Sequence, residues 1–299
     1  MKLVTFTENG SARIGAIRDD GIVDLHAVDA SLPQDMIALL QGGDALLDKA
    51  RAAAEKGGAG LALSDVQLES PVPVPPRILA VGLNYLEHFF EMPEEVRKAR
   101  GMKPPQVPII FNKQNTAANG PYQDILLPPE SVQMDYEAEL GVIIGKTCRR
   151  VSKQDAMSVV AGFTIVNDVS IRDWQRATPT MTMGKSWDSH CPMGPALVTR
   201  DELPDPYKLE VKLTVDGEER QNFKTADMHF KIEDQIAHLS TAFTLVPGDV
   251  IATGTSAGVA AFRPDQPWLA EGQVVRIEIA GIGYLENRVA KDKGESYIR

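Results

Sequence analysis

The chain has 299 residues, of which 43% are hydrophobic and 24% are charged, and these proportions are typical of globular rather than disordered or fibrous proteins. The length allows one large domain, or a large domain beside a small one, with a core that needs no disulfides. The formal net charge of -10, without a long run of Lys and Arg, argues against a nucleic-acid-binding surface. An anionic substrate would therefore need a local cation or a bound metal.

The N-terminal segment and the small number of cysteines predict the cellular compartment of the protein. The first segment turns polar at Thr7 and Glu8, so it lacks the apolar core of a secretory signal, and no stretch of about 20 apolar residues could cross a bilayer. The chain has two cysteines, Cys148 and Cys191, which are too few for a disulfide scaffold and lack metal-ligand spacing. We interpret both as buried free thiols and predict a cytoplasmic protein that does not associate with membranes.

The first 26 residues predict a small antiparallel meander. Apolar and polar residues alternate there, and the pairs Asn9-Gly10 and Asp20-Gly21 are typical of tight turns between strands. The chain therefore begins with β-structure.

A helical region and a stiff connector follow. Residues 32–56 carry apolar side chains at helical spacing and end at Gly57, which predicts one or two helices. The segment PVPVPP at 71–76 cannot form a helix and is typical of a connector. We predict a small N-terminal α/β domain over 1–72 and a second domain over 73–299.

The second domain has the pattern of a mainly β structure. Short apolar runs such as ILAVGLNY, PIIFNK, ELGVIIG, GFTIVNDV and VVRIEIAGIG are separated by Gly and Pro. Two segments have helical spacing instead, 152–160 with Ser152 as N-cap and 230–243. The fold class predicted from the sequence is mainly β, of α+β type.

Acidic residues in two apolar runs suggest a metal site. If MDYEAELGVIIG is a strand, Glu137 and Glu139 project from the same face, where like charges repel unless a cation lies between them. Asp168, within GFTIVNDV, is the best third carboxylate, and carboxylate ligands favour magnesium or manganese. The alternative is an edge strand with solvated glutamates, or glutamates paired to Arg149 and Arg150.

Three further segments carry polar groups suited to catalysis. His88 and Glu91 are one helical turn apart, so the carboxylate can orient the imidazole as a general base, although the pair could also be an incidental one on an exposed helix. Lys185 follows a glycine in a polar loop, and TGTSAG at 253–258 offers backbone amides for an anion. The spacing before Gly184 does not fit a phosphate-binding loop.

Seven segments occur in order between about residues 76 and 292: GLNYLEHFFEM, FNK, MDYEAELGVIIGK, GFTIVNDVSIRDWQ, GKSWDSHCPMGP, LVPGDVIATGTSAGV and IEIAGIGYLENRV. This ordered set resembles the fumarylacetoacetate hydrolase family, in particular its acylpyruvase-like and 2-hydroxyhepta-2,4-diene-1,7-dioate isomerase-like branch. The resemblance implies a mixed β-roll catalytic domain, usually homodimeric, behind a small N-terminal domain.

The resemblance also implies roles for individual residues. It assigns a divalent metal, Mg²⁺ or Mn²⁺ with Ca²⁺ also possible. The chain departs from the family pattern at Leu83, where many members have Arg, at Ser256, where proline is common, and in a longer stretch over 92–108. The implied residues are the metal ligands Glu137, Glu139 and Asp168, the catalytic groups His88, Glu91 and Lys185, and the substrate-binding groups Lys113, Arg172, Gln175 and Thr255.

The reaction implied is hydrolysis of a carbon–carbon bond in a 2,4-diketo acid of acylpyruvate type, which yields pyruvate and a carboxylic acid. An isomerase, tautomerase, hydratase or decarboxylase that acts on a related 2-keto acid or diacid through a metal-stabilised enolate remains an alternative. A non-catalytic metal-binding homologue is disfavoured, because the lysine, the dyad and the three carboxylates are all present. The expected ligand in each enzyme case is a small 2-keto acid.

Overall fold

The computed structural model describes residues 1–19, 21–58 and 60–298. Asp20, part of the second predicted turn, lies outside the described residues. The helices within these ranges are α1 (Leu25–Val28), α2 (Met36–Gln41), α3 (Gly43–Lys56), α4 (Leu86–Glu91), α5 (Glu94–Ala99), α6 (Arg172–Ala177), α7 (Thr182–Lys185) and α8 (Ile232–Ala242).

The strands within the same ranges outnumber the helices. They are β1 (Lys2–Glu8), β2 (Ser11–Arg18), β3 (Gly21–Asp24), β4 (Leu61–Ala62), β5 (Gln67–Leu68), β6 (Ile78–Gly82), β7 (Ile109–Lys113), β8 (Ala118–Asn119), β9 (Ile125–Leu127), β10 (Met134–Asp135), β11 (Ala138–Ile144), β12 (Val160–Asn167), β13 (Ser170–Ile171), β14 (Cys191–Thr199), β15 (Glu210–Val215), β16 (Glu218–Lys224), β17 (Val250–Ala252), β18 (Val274–Ile279) and β19 (Gly283–Lys291). The structure is therefore a sheet-dominated α+β fold, as the sequence predicts.

A large mixed sheet forms the centre of the molecule. Its main order is β4-β3-β2-β1-β14-β12-β11-β17-β6-β7, with β17 and β6 parallel and the other neighbours on this path antiparallel. Strands β11 and β12 are buried along their whole length, as expected for central strands with both faces covered. A second sheet has the order β16-β15-β18-β19-β9, and a two-stranded sheet joins β10 to β13.

Alternate side chains of β11 face two different cores. Leu140, Val142 and Ile144 belong to the core that includes the second sheet and α8, whereas Ile143 belongs to the core that includes α2 and α3. This alternation follows from the two-residue period of a strand. The strand is therefore held from both sides, and the residues at its start are placed rigidly.

The N-terminal predictions are confirmed. Strands β1, β2 and β3 form the antiparallel meander, and α2 and α3 occupy the region of helical spacing. Strand β1 also pairs with β14 of the large sheet. The division into domains at residues 72 and 73 remains a prediction.

The predicted helix over 152–160 is wrong. The structure has a 3-10 helix over Ala156–Val159, and β12 begins at Val160. The Ser152 hydroxyl does accept a hydrogen bond from the Asp155 amide, so a turn starts where expected. The helix does not continue because the Val159 carbonyl accepts from the amides of Gly145 and Lys146 instead.

The predicted strand over MDYEAELGVIIG is interrupted at Tyr136 and Glu137, between β10 and β11. The backbone amides of Tyr136, Glu137 and Ala138 donate to side-chain oxygens rather than to a neighbouring strand. Those acceptors belong to Asp135, Asn167 and Gln221. The strand is therefore interrupted because buried polar side chains, rather than a neighbouring strand, accept hydrogen bonds from these amides.

The cysteine prediction is confirmed, since Cys148 and Cys191 are buried and free. No helix in the described part of the chain is long and apolar enough to cross a membrane.

Candidate active site

A cavity of about 190 Å³ gathers most of the polar residues singled out in the sequence. A larger cavity of about 600 Å³ beside α3 contains none of them, so size alone does not identify the site. The polar residues that line the smaller cavity are His88, Glu137, Glu139, Arg172, Gln175, Lys185 and Thr255. The apolar residues that line it are Val81, Leu83, Ile109, Phe111 and Met181.

The three predicted metal ligands meet at one end of two neighbouring strands. Glu139 lies in β11, Glu137 just before it, and Asp168 just after β12. Because these strands are antiparallel and Ala138 faces Asn167, the start of one lies beside the end of the other. One carboxylate oxygen from each residue lies within 4.8 Å of the other two, and all three side chains are buried.

Buried cations surround this carboxylate cluster. The Lys185 ammonium is 2.7 Å from both Glu137 Oε2 and Asp168 Oδ2. Lys113 Nζ is 2.7 Å from Asp168 Oδ1, and Arg172 Nη2 is 2.6 Å from Glu137 Oε1. Glu137 and Asp168 are thus paired in the protein itself, through both of their oxygens.

Glu139 has much weaker support. Among the described residues its carboxylate accepts a single hydrogen bond, at Oε2 from the Gly254 amide over 2.7 Å. No described cation pairs with it. A buried carboxylate normally requires a counter-charge, so this position calls for one.

The electrostatics of the cluster follow from these contacts. Burial alone would raise the pKa of Glu137, but the Lys185 ammonium and the Arg172 guanidinium lower it far below its usual value. Burial and the carboxylates of Asp168 and Glu137 raise the pKa of Glu139 well above its usual value. Burial opposes the charge on Lys185, yet the two carboxylates raise its pKa as well. Glu137 and Glu139 thus differ because Glu137 is paired with two cations, whereas Glu139 has carboxylate neighbours and no paired cation among the described residues.

The donor set fits a hard divalent cation. The three ligand candidates offer carboxylate oxygen only, which suits Mg²⁺, Mn²⁺ and Ca²⁺ better than softer metals. Four buried carboxylates and three buried cations leave one formal negative charge, and a dication would turn this into one positive charge able to attract an anionic substrate. The groups counted are Asp135, Glu137, Glu139, Asp168, Lys113, Lys185 and Arg172.

The predicted base dyad forms on α4. His88 Nδ1 lies 2.5 Å from Glu91 Oε1, and both side chains are largely buried. The incidental pairing on an exposed helix is therefore not what the structure has. Because the carboxylate accepts at Nδ1, the neutral imidazole keeps its proton there and presents Nε2 as the unprotonated nitrogen.

The loop 253–258 holds α4 against the body of the protein. Gly258 N donates to Glu91 Oε2 over 2.8 Å, and the Phe262 ring packs edge-on against His88. Only glycine fits at 258, because a Cβ there would lie 2.2 Å from the Arg220 carbonyl oxygen. The amides of this loop thus bind carboxylates of the protein itself, Glu139 through Gly254 and Glu91 through Gly258.

The predicted substrate-binding residues divide into two groups. Arg172, Gln175 and Thr255 line the cavity. Lys113 lies behind Asp168, with its ammonium bonded to that carboxylate and to the Val169 carbonyl. The geometry gives Lys113 a contact with a metal-ligand candidate rather than with the cavity, and its proposed substrate contact remains a prediction.

Other predicted features have definite outcomes in the structure. Arg149 does not pair with the glutamates, since its guanidinium donates to the Ser240 carbonyl over 2.7 Å. Leu83 lines the cavity with a left-handed backbone, φ 52°, which is unusual for a bulky side chain. One of the residues that depart from the family pattern is thus part of the cavity wall.

Sequence reasoning missed the buried polar residues around the cavity. Asp135 accepts four hydrogen bonds, from Arg172 Nε and from the amides of Tyr136, Ala260 and Ala261. Asn84 bonds the backbone of Phe230 and Thr253, and Gln221 bonds Ala138 and the loop at Thr255. The one available signal was polarity at positions whose strand neighbours are apolar.

A family model and individual proteins of known sequence were similar to this chain, and both lead to the same family. The family described as "Fumarylacetoacetate (FAA) hydrolase C-terminal" matches residues 77–290. A Rattus norvegicus protein named "Oxaloacetate tautomerase Fahd2a, mitochondrial" is 41% identical over 270 residues, which cover 90% of this chain and 84% of that protein. These similarities extend through the whole carboxylate and dyad region.

Two solved structures are similar over nearly the full length. Maleylpyruvate hydrolase from Sphingobium sp. SYK-6, in complex with manganese(II) and pyruvate, is 32% identical with a TM-score of 0.79 and covers 98% of this chain and all of its own. The 2-hydroxyhepta-2,4-diene-1,7-dioate isomerase from Mycobacterium marinum is 28% identical with a TM-score of 0.75 and covers 99% of this chain and all of its own. The relatives therefore differ in the reaction that their names give.

The prediction of a cytoplasmic protein is wrong, because the relatives at about 41% identity are named mitochondrial. The prediction rested on an N-terminus without a secretory pattern and on scarce cysteines. A low cysteine count excludes a disulfide scaffold, but it does not identify one compartment.

Proposed function

Because this chain belongs to the fumarylacetoacetate hydrolase family, we propose that it is a divalent-metal-dependent tautomerase that interconverts the enol and keto forms of a small 2-oxo acid such as oxaloacetate. The observation that carries this proposal is the meeting of two groups in one small cavity. His88 of the dyad lines it, and so do Glu137 and Glu139 of the carboxylate cluster that Asp168 completes. Proton transfer next to a carbonyl needs a base and a stabiliser of negative charge, and these groups meet both needs.

The carboxylate cluster is the proposed metal site. Glu137, Glu139 and Asp168 would hold Mg²⁺ or Mn²⁺, and when bound such an ion supplies Lewis-acid stabilisation of negative charge on the 2-oxo group. The Lys185 ammonium and the Arg172 guanidinium add positive charge of the protein itself next to the proposed metal site. The acidic overall charge of the chain therefore does not prevent the capture of an anion at this point.

His88 is the proposed proton carrier. Its Nδ1–H donates to Glu91, so Nε2 can take the proton from the carbon next to the 2-oxo group and deliver it to the 2-oxygen, and the reverse transfer converts the enol to the keto form. Glu91 holds the ring in that tautomer and stabilises the imidazolium that forms. The second oxygen of Glu91, bonded to Gly258 N, fixes the dyad relative to the carboxylate cluster.

Lys185 and the cavity size support a small substrate. Two of the three Lys185 N–H groups are used by Glu137 and Asp168, which leaves one for a substrate oxygen. A cavity of about 190 Å³ is smaller than the pockets of about 300 to 1,000 Å³ that take drug-sized ligands. A four-carbon or five-carbon acid is the appropriate size.

A second candidate is hydrolysis of a 2,4-diketo acid, the reaction implied by the sequence resemblance. The 32% identity to a maleylpyruvate hydrolase that binds manganese(II) and pyruvate favours it. In that reaction His88 would deprotonate a water that attacks the distal carbonyl, and Lys185 would stabilise the oxyanion. The same residues thus serve both reactions, and the products distinguish them.

The test is product analysis by proton NMR of the Mg²⁺-loaded protein with the enol form of oxaloacetate and, separately, with a set of acylpyruvates. A tautomerase accelerates conversion of the enol to the keto form, loses this activity with a chelator, and releases no second acid. Pyruvate and a carboxylic acid formed from an acylpyruvate would establish hydrolysis instead. Reactions without protein and with His88→Ala correct for the spontaneous reaction.

We also propose a homodimer, which the family resemblance implies. Light scattering of the purified protein would give twice the chain mass of 32.6 kDa if the proposal holds. A mass equal to one chain would contradict it.

A further inference from the structure

Gln221 is a buried amide on β16, in the second sheet rather than in the sheet that carries the carboxylates. Side chains along β16 alternate, and Gln221 shares the inward face with Phe223. The residue opposite on β15 is Leu213, which is fully buried. A polar side chain on such a face is destabilising unless all of its hydrogen-bonding groups are used.

The partners of Gln221 allow one orientation of its amide. Oε1 accepts from the Ala138 backbone N–H over 2.9 Å, and a backbone nitrogen can only donate. Nε2 donates to the Ser256 carbonyl over 3.0 Å, and a carbonyl can only accept. Because both ends are determined, the hydrogen bond of 2.9 Å between Nε2 and Thr255 Oγ1 has the amide as donor.

This orientation determines what the Thr255 hydroxyl can do. Thr255 Oγ1 is an acceptor toward Gln221, and that is its sole hydrogen bond within the described residues. Its own proton therefore remains available, and Thr255 lines the cavity. The hydroxyl is held ready to donate to an anionic oxygen of a bound acid.

The other end of Gln221 acts on the metal-ligand candidates. Ala138 lies between Glu137 and Glu139, at the first position of β11. The Gln221 carbonyl replaces the strand partner that the Ala138 amide lacks. One side chain thus connects the backbone of the carboxylate cluster to the Thr255 hydroxyl in the cavity wall.

We propose that Gln221 is a positioning residue that forces the Thr255 hydroxyl to act as a donor to the carboxylate or oxo group of a 2-oxo acid. The inference rests on the proposed function only in taking a 2-oxo acid as the ligand of this cavity. It does not depend on which reaction follows.

The test is a thermodynamic cycle of Gln221→Met, Thr255→Val and the double variant, with pyruvate as the probe and Mn²⁺-loaded protein in each case. Pyruvate affinity is measured by isothermal titration calorimetry. Thr255→Val is expected to weaken binding about tenfold or more, the range for a lost hydrogen bond to a charged group. Gln221→Met is expected to weaken it several-fold in the parent and to have no further effect once Thr255 is Val.

A matched control separates this role from loss of a buried amide in general. Asn287 donates to the carbonyls of Gly120 and Gln123, away from the cavity. Asn287→Leu is expected to lower the melting temperature without changing pyruvate affinity. Thr255→Ser, which keeps the hydroxyl, is expected to bind pyruvate nearly as the parent does.

If Gln221→Met does not fold, Gln221→Glu takes its place, because it keeps an acceptor for Ala138. The charge added by Gln221→Glu is present both in the Thr255 parent and in Thr255→Val, so its effect on pyruvate affinity cancels when the two are compared. The coupling energy that remains reports the hydroxyl proton of Thr255. Equal effects of the 221 substitution on both backgrounds would overturn the inference, as would unchanged pyruvate affinity in Gln221→Met. Pyruvate binding without tautomerase activity would contradict the proposed function alone, whereas absence of pyruvate binding by the parent would overturn both.

Discussion

Two sets of buried polar groups meet around the cavity, and they differ in how far the protein satisfies them. The bracing groups, represented by Asp135 and Gln221, use all their main acceptors and donors on protein partners. The cavity groups, represented by Glu139, His88 and Thr255, each keep one position free on the cavity side among the described contacts. The residues of both sets are buried to nearly the same extent. The two sets are therefore distinguished by whether a hydrogen-bonding position remains free on the cavity side, and not by burial.

Asp135 and Glu139 make this difference concrete because they are four residues apart. Within the part of the chain that the structure describes, Asp135 accepts four hydrogen bonds and pairs with Arg172, whereas Glu139 accepts one. A carboxylate that the protein satisfies completely is a structural group, and one that it leaves unsatisfied calls for a cation from outside. The following predictions test this distinction, from the largest expected effect to the smallest.

The first prediction concerns His88, whose free Nε2 is the reactive position among the cavity groups. His88→Ala is expected to lower kcat about a hundredfold to ten-thousandfold, the usual contribution of a general base. Mn²⁺ affinity, measured by calorimetry, should not change, because His88 is not a ligand candidate. Unchanged turnover would contradict the proposed proton transfer.

The second prediction concerns Asp135 as a bracing group. Asp135→Asn turns an amide N–H toward the donors of Arg172 and the Ala260–Ala261 backbone, so the free energy of unfolding should fall by about 3 to 5 kcal/mol. Urea denaturation in the presence of a chelator measures it. The exposed Asp265 provides the control, because Asp265→Asn should change stability by no more than about 0.5 kcal/mol. If Asp135→Asn and Asp265→Asn were equally stable, the buried Asp135 would contribute no more than an exposed carboxylate. The distinction between bracing groups and cavity groups would then be wrong.

The third prediction concerns Glu139 as a cavity group. Glu139→Gln should weaken Mn²⁺ binding by at least about a hundredfold, since even outer partners of metal ligands contribute ten- to a hundredfold. The same change should not lower the stability of the metal-free protein, because burial and the neighbouring carboxylates already disfavour the charge and raise the pKa of Glu139. A metal-free variant much less stable than its parent would place Glu139 with the bracing groups.

The fourth prediction concerns His190, a buried residue that does not line the cavity, and extends the comparison to a group that belongs to neither set. It donates from Nε2 to the Leu126 carbonyl, while Nδ1 is buried without a protein partner in the described structure. Burial lowers its pKa to about 3, whereas an unfolded histidine has a pKa near 6.5. Above about pH 6.5 neither state is protonated, and the contribution of His190 to stability is complete. As the pH falls from there toward 3, the unfolded chain takes up a proton that the folded chain excludes, so stability falls by about 1.4 kcal/mol per pH unit.

The variant His190→Gln isolates this contribution, since glutamine keeps a donor for Leu126. Urea denaturation between about pH 6.5 and pH 5 should show a shallower loss of stability in the variant than in the parent. Parallel pH profiles would mean that His190 is not held neutral by its surroundings. Both proteins are compared with a chelator present, so that metal binding does not contribute.

The sequence predicted the groups whose relation is local. The two-residue period predicted Glu137 beside Glu139, and the two meet in the cluster although the strand is interrupted at Tyr136 and Glu137. The helical period brings His88 to Glu91. The clustering with Asp168 was also predicted, because an aspartate at the end of a central strand is otherwise unfavourable. For the glutamate pair and the dyad the spacing along the chain fixes the geometry, whereas Asp168 was identified by its polarity in an apolar run.

The sequence could not predict the bracing groups, because their partners are far away along the chain. Gln221 reads as one polar residue in a strand of mixed character, and its bond to Ala138 spans 83 residues. Lys113 matched a family position, but its bond to Asp168 spans 55 residues and was not foreseen. The break in the predicted strand has the same origin, since long-range acceptors took its amides.

The loop at 253–258 has a consequence for how the chain folds. Its bond to Glu139 spans 115 residues and its bond to Glu91 spans 167, so the cavity depends on contacts of very high sequence separation. The entropy of closing such loops is lost before these contacts contribute, which slows folding and makes the cavity one of the last parts to form. A nascent chain that ends before Gly258 lacks the amide that holds Glu91. Recovery of Mn²⁺ binding at the proposed site during refolding would therefore be a kinetic marker for completion of the native topology.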